Sequence, residues 1–142
     1  ESESRGLGDV YKRQEIWKPI LDEFKVDLVL SGHDHSYART GQVDTTNLKN
    51  VPTGYQQAYD PEIGTVHVVS VSGPKMYGIS KGNFAKRLAE NTQLYQIIHI
   101  DDENLQYEAY EATGKLYDKF TLQKRNGMPN LLLEALPSEN RR

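Results

Sequence analysis

"VDLVLSGHDHSYART", residues Val26 to Thr40, joins an apolar run to a glycine and two closely spaced histidines. The run from Val26 to Leu30 is too short for a helix and partly β-branched, which predicts a strand buried on both faces. Ser31-Gly32 ends this strand. Because ligands of open α/β sheets bind beyond the carboxyl ends of the strands, His33 and His35 are predicted to lie at such an edge. Neutral imidazole is the commonest metal ligand, so the loop is a candidate metal site.

The composition narrows the classes of protein. The chain has 142 residues, which suits one domain with a substantial core. Its 17 Lys and Arg against 20 Asp and Glu give a net charge of −3, so there is no nucleic-acid-binding signal. The absence of cysteine leaves histidine and carboxylates as metal ligands. No run approaches the roughly 18 apolar residues of a membrane segment.

The N-terminal residues look foreign to the rest. Residues Ser4 to Gln14, SRGLGDVYKRQ, match residue for residue an in-frame translation of a transposase sequencing adapter. Residues 1–14 are therefore predicted to be a non-native segment that takes no part in the fold. The natural protein is predicted to continue upstream of Glu15. A polar natural terminus is the alternative.

The flanking segments indicate mixed secondary structure. Apolar residues at helical spacing from Ile16 to Phe24 predict a short amphipathic helix. The polar stretch from Gly41 to Gly64 predicts a long loop. The β-branched stretch from Thr65 to Ser72 predicts a second strand. The spacing within Asn83 to Glu90 predicts a short helix.

The C-terminal half predicts an antiparallel meander. Segments that begin at Leu94, Leu105 and Leu116 are separated by turn-like sequences. The predicted fold class is therefore α/β, or α+β, and the domain is predicted to cover residues 15–125. Residues 126–142 are predicted to be a C-terminal tail.

The quoted stretch, extended to WKPILDEFKVDLVLSGHDHSYART, resembles the last conserved block of the calcineurin-like metallophosphoesterases. It is most similar to the bacterial branch that resembles the purple acid phosphatases. The later GTVHVVSVSGPKMY resembles the strand and glycine turn that follow that block. The resemblance covers Glu15 to Gln123. It implies the C-terminal part of a β-sandwich flanked by helices.

The resemblance also implies a chemistry. In this family two metal ions, drawn from iron, manganese or zinc, hold a hydroxide that attacks the phosphorus of phosphate mono- or diesters. His33 would bind one ion and His35 the other. The aspartate, asparagine and histidine blocks that complete the family's site are missing, so the fragment is predicted to be inactive and its parent to be a hydrolase. The resemblance further implies a phosphate-ester substrate and export to the periplasm or medium.

Three neighbours of the histidines are secondary candidates. Asp34, Tyr37 and Arg39 are predicted to orient the metal ligands or to meet substrate, since a guanidinium matches phosphate oxygens. For Tyr37 and Arg39 the favoured interpretation is packing or a surface salt bridge, and for Asp34 a solvated group is the alternative to an acceptor beside the ligands. No catalytic residue beyond the metal ligands is predicted.

Two competing functions remain open. In the first, His33 and His35 hold a structural zinc in a non-catalytic β-rich module, which requires two further ligands. In the second, a degenerate phosphoesterase scaffold has lost its metals.

Overall fold

The computed structural model describes residues 16–32, 35–44, 62–70, 73–75 and 85–135, and these contain one helix and eight strands. The predicted non-native segment, residues 1–14, lies outside the described residues. The helix, α1, covers residues 16–23. The strands form two four-stranded sheets. Sheet 1 contains β1 (Leu28–Ser31), β2 (Tyr37–Val43), β3 (Thr65–Val69) and β4 (Ala85–Ala89), and sheet 2 contains β5 (Leu94–Ile100), β6 (Asn104–Glu111), β7 (Leu116–Arg125) and β8 (Met128–Glu134).

Sheet 1 is mixed. Its strand order is β1-β3-β2-β4, with β1 parallel to β3 and β2 antiparallel to both of its neighbours. Leu28 pairs with Val66 and Ser31 with Val69, so the carboxyl ends of β1 and β3 meet at the same edge. This edge is the kind of place where ligands bind in sheets with parallel strands.

Sheet 2 confirms the predicted meander and adds a strand to it. β5, β6, β7 and β8 pair antiparallel in chain order. Nine buried residues join the two sheets in one core, in which the rings of Tyr107 and Phe120 stack at 4.7 Å. Burying one large apolar side chain contributes about 1.5–3 kcal/mol, so this core supplies the main stabilisation. Its members are Tyr37, Val66, Val68, Ala89, Leu94, Tyr107, Ala109, Phe120 and Leu122.

The fold is richer in β-structure than the predicted α/β class. The predicted helix from Asn83 to Glu90 is wrong, because residues 85–89 form β4 and pair with β2. Residues 128–134, which lie in the segment predicted to be a C-terminal tail, form β8 and pair with β7. In β4 the hydrogen bonds that the neighbouring strand offers outweigh the local helical preference.

Two further boundaries differ from prediction. The predicted loop from Gly41 to Gly64 begins later, because β2 continues to Val43, and residues 45–61 lie outside the described part. β1 is not buried on both faces. Leu30 is 55% exposed, because among the described strands β1 is an edge strand of sheet 1.

Helix α1 forms as predicted but with an unexpected orientation. Pro19 lies within the described part of the helix. The helix ends before Lys25, whose φ of 51° is the left-handed conformation common after helix ends. Trp17 and Phe24 are 58% and 72% exposed, whereas Lys18 is buried and donates to the Asp44 carbonyl at 3.1 Å. The apolar side chains of α1 therefore face away from the sheet.

Candidate metal site

His35 lies between the carboxyl end of β1 and the start of β2. Its Nδ1 is 2.5 Å from the carbonyl oxygen of Lys75, which follows β3. A carbonyl only accepts, so Nδ1 donates the proton, and in a neutral ring the lone pair then lies on Nε2. Histidines that ligate metals commonly donate their other ring N–H to a carbonyl in this way. The hydrogen bond of His35 is thus of the kind that orients ligating histidines, and metal binding by His35 stays a prediction.

His33 and Asp34 lie outside the described residues. The convergence of the two imidazoles, and the role of Asp34 beside them, therefore stay predictions. The structure describes the strands on either side of these two residues. β1 ends at Ser31 and β2 begins at Tyr37, so the histidine loop spans from one strand of sheet 1 to another at the edge that holds Lys75.

Tyr37 and Arg39 point into the core between the sheets. Both side chains are fully buried and bind one carboxylate, that of Asp118 on β7. The Tyr37 hydroxyl donates to Oδ2 at 2.7 Å, and Arg39 donates from Nε to Oδ2 at 2.6 Å and from Nη2 to Oδ1 at 3.0 Å. Contact of either residue with phosphate stays a prediction, and this enclosure weighs against it.

The charge of Arg39 has further partners. Its Nη1 lies 2.7 Å from Oε1 of Glu134 on β8, and its guanidinium lies 5.1 Å from the ring centre of Phe120. Although burial alone lowers the pKa of Arg39, the hydrogen bonds and charge of Asp118 raise it. Burial raises the pKa of Tyr37, and the negative charge of Asp118 adds to that shift. Arg39 is therefore a cation and Tyr37 a neutral donor. We name Tyr37, Arg39 and Asp118 the latch.

Asp118 was absent from the sequence prediction. It occupies an inward position of β7, in alternation with the buried Phe120 and Leu122. A carboxylate at an inward position of an apolar strand requires a buried partner. The alternation of residues in β7 therefore indicates that Asp118 binds another side chain. The sequence does not indicate that this partner is Arg39, which lies 79 residues earlier in the chain.

The described residues supply only part of the donor set that a metal centre needs. Among residues 16–135 that the structure describes, no three His, Cys, Asp or Glu side chains form a group that could hold a metal. His35 fits one ligand position, and two metals need more donors than two imidazoles. The residues present thus fit a part of a metal centre. Within the described ranges, no helix is long and apolar enough to cross a membrane.

The two remaining histidines do not join His35. His67 lies in β3, where burial and then the charge of Lys18 lower its pKa to about 4 while Asp22 acts in the opposite direction. His99 lies in β5 opposite Gln106 and is exposed. Both are strand residues, as their alternation within apolar segments predicts.

The described fold is similar to one part of a solved purple acid phosphatase. The chain superposes on the purple acid phosphatase from yellow lupin (Lupinus luteus) seeds with a TM-score of 0.55 and 24% identity, over 78% of this chain and 20% of that one. No family model matches the chain.

Sequence comparison with curated proteins also finds a similarity to a purple acid phosphatase. The chain is 29% identical over 122 residues to the Arabidopsis thaliana protein named "Probable inactive purple acid phosphatase 1". It is 37% identical over 70 residues to uncharacterised proteins of two Mycobacterium tuberculosis strains. The chain spans 18% of the length of the plant relative and 13% of each mycobacterial one. It is thus similar to a limited part of purple acid phosphatases.

Proposed function

We propose that this chain is the C-terminal part of a metal-dependent phosphoesterase similar to the purple acid phosphatases, whose parent hydrolyses phosphate mono- or diesters. The observation that carries the proposal is the placement of His35. Its ring lies at the joint carboxyl edge of β1 and β3 and is oriented by the Lys75 carbonyl. The partial similarity to purple acid phosphatases supports the same conclusion.

In this proposal the chain holds imidazoles in place. His33 and His35 each serve a different metal ion, of iron, manganese or zinc, and such ions when bound supply charge stabilisation at phosphorus. The bond from Nδ1 to Lys75 turns the Nε2 lone pair of His35 outward from that carbonyl. Asp34 is a further candidate for orienting the histidines. The other ligands come from the parent's residues upstream of Glu15, so the isolated chain is inactive.

The resemblance carries two lesser proposals. The parent is bacterial, in keeping with the mycobacterial relatives. It is exported, as its similarity to the purple acid phosphatases implies. Detection of the full-length protein in the periplasm or medium of its host tests this second proposal.

One alternative rests on a specific observation. The plant relative is named as probably inactive, which favours a phosphoesterase-like scaffold that lacks turnover. The structural-zinc alternative gains no such support, since the described residues bring no third ligand to His35.

Metal binding by the chain separates these functions. We expect Co²⁺, titrated calorimetrically, to bind weakly and to lose at least about tenfold in affinity on His33→Ala or His35→Ala. His99→Ala, at an exposed position of β5, is the control and should bind as the unaltered chain does. Equal affinity in all of these proteins would reject the histidine site.

Hydrolysis of an aryl phosphate with added manganese, zinc or iron tests the catalytic part. The chain alone should show no metal-dependent turnover. A longer chain that includes the upstream ligands should be active and lose at least about a hundredfold on His35→Ala, because a misplaced metal stabilises less transition-state charge. Turnover by the isolated chain would show that it holds the complete site. An inactive longer chain that still binds metal would support the scaffold alternative.

A further inference from the structure

The candidate metal loop is attached directly to the latch. His35 precedes Tyr37 by two residues and Arg39 by four, and both of these side chains bind Asp118. Two residues of extended chain span at most about 7 Å. A displacement of the first residues of β2 therefore moves His35 by a comparable distance, since the intervening segment has little slack.

The latch acts where the register of β2 is least defined. The pairing of β2 with β3 shifts between Arg39 and Gln42, and its pairing with β4 shifts between Arg39 and Thr40. Such bulges leave residues unpaired, so the ladder alone specifies the register weakly there. A slip by one residue would turn Arg39 to the opposite face of sheet 1, away from Asp118. Two side chains on one carboxylate thus exclude the slipped register.

Stability alone does not account for this arrangement. Replacing a buried ion pair with apolar residues of similar volume is often neutral or stabilising, because the charges lose their hydration on burial. Arg39 and Asp118 are both fully buried. An apolar trio at the same positions would also fill the core, but it would place no directional constraint on β2.

We propose that Asp118 is a positioning residue for His35: through Tyr37 and Arg39 it fixes the start of β2 and thereby directs the His35 ring at the Lys75 carbonyl. This rests on the proposed function in so far as His35 is a metal ligand. Sheet 2 then has a definite part in the site, although it contributes no ligand of its own. The constraint runs from β7 through two side chains of β2 to a histidine that lies just before β2.

The test removes the latch while keeping the volume of the core. In a variant with Tyr37→Phe, Arg39→Met and Asp118→Leu together, no member of the latch is left with an unpaired polar group. Nitrogen NMR of ¹⁵N-labelled histidine reports the His35 tautomer, and Co²⁺ titration reports affinity. We expect one sharp tautomer protonated at Nδ1 in the unaltered chain. In the variant we expect mixed tautomers, broadened lines and at least about tenfold weaker Co²⁺ binding.

Two further proteins separate positioning from stability. Leu122→Ala removes a buried side chain of the same strand, so it should lower stability while keeping the His35 tautomer. Arg39→Lys keeps the charge but not the two-point bond and should show an intermediate spectrum. If the triple variant fails to fold, Arg39→Lys and Tyr37→Phe decide by the same spectrum.

A folded triple variant with the tautomer of the unaltered chain would overturn the proposal. Absence of Co²⁺ binding by the unaltered chain would instead reject the proposed function. The tautomer measurement would still decide whether Asp118 positions His35, so the two failures are distinguishable.

Discussion

At the scale of single residues, His67 links the fold to pH. Its Nε2 is buried and has no hydrogen-bond partner among the described residues. Because burial and then Lys18 lower its pKa from 6.5 to about 4, the folded chain keeps the ring neutral where the unfolded chain protonates it. The unfolded state thus binds more protons between those two values. Stability is therefore lost as pH falls from about 6.5 towards 4.

We expect protonation of His67 in the unfolded state to lower the unfolding free energy by about 2.5 kcal/mol when the pH falls from 7 to 4.5. In the His67→Phe variant, the loss of unfolding free energy between these two pH values should be smaller by that amount than in the unaltered chain. Urea unfolding at both pH values measures it. His99→Phe, at an exposed position, is the control and should retain the loss seen in the unaltered chain. An undiminished loss in His67→Phe would contradict the assignment.

At the scale of elements, Gly64 allows β2 and β3 to approach each other. Its φ is 122°, and a Cβ there would lie 2.2 Å from the carbonyl carbon of Val43. Val43 pairs with Thr65, so an added methyl group would push the two strands apart at the start of β3. Only glycine avoids both the backbone strain and the clash.

Gly64→Ala should therefore cost more than about 3 kcal/mol in chemical denaturation, since opening a ladder adds to the strain. The matched control is Gly114→Ala in the β6–β7 turn. Gly114 has a φ of 85°, but an added Cβ there meets nothing within 4 Å. It should cost only about 1 kcal/mol, from strain alone. Equal costs for the two variants would refute the role of the close approach.

The same scale shows what the sequence could predict. α1, β1, β3 and the first three strands of the meander follow from apolar periodicity. β8 was predictable from Asn126-Gly127, the preferred two-residue hairpin turn, which connects the paired Arg125 and Met128. β4 could not be predicted, because the spacing of its residues favours a helix and only pairing with β2 makes the segment a strand. The latch could not be predicted, since alternation indicates that Asp118 faces inward but not which distant side chain it binds.

At the scale of the whole molecule, several large apolar side chains near α1 and β1 are exposed among the described residues. Trp17 on α1 and Phe24 directly after it are mostly exposed, and so is Leu30 on the edge strand β1. Large exposed apolar patches mark interaction surfaces. We expect the upstream part of the proposed phosphoesterase domain to pack on α1 and β1, and the isolated chain to self-associate through them.

Sedimentation velocity over a range of concentrations tests this expectation. Trp17→Gln and Phe24→Gln should shift the chain toward monomer without lowering its unfolding free energy, because neither side chain is buried. Met128→Gln, exposed in β8, is the control and should associate as the unaltered chain does. Unchanged association in all three variants would place the contact elsewhere.

The latch also has a consequence for the chain while it is being made. Asp118 follows Arg39 by 79 residues, so at roughly 5–20 residues per second the ribosome needs about 4 to 16 seconds to supply the carboxylate after the guanidinium. During that interval Arg39 keeps its hydration, and β2 cannot pack against sheet 2 because sheet 2 does not yet exist. The meander pairs only neighbours in the chain, which favours rapid formation once it is synthesised. We expect the histidine loop, although translated early, to acquire its final shape only after β7 has left the ribosome.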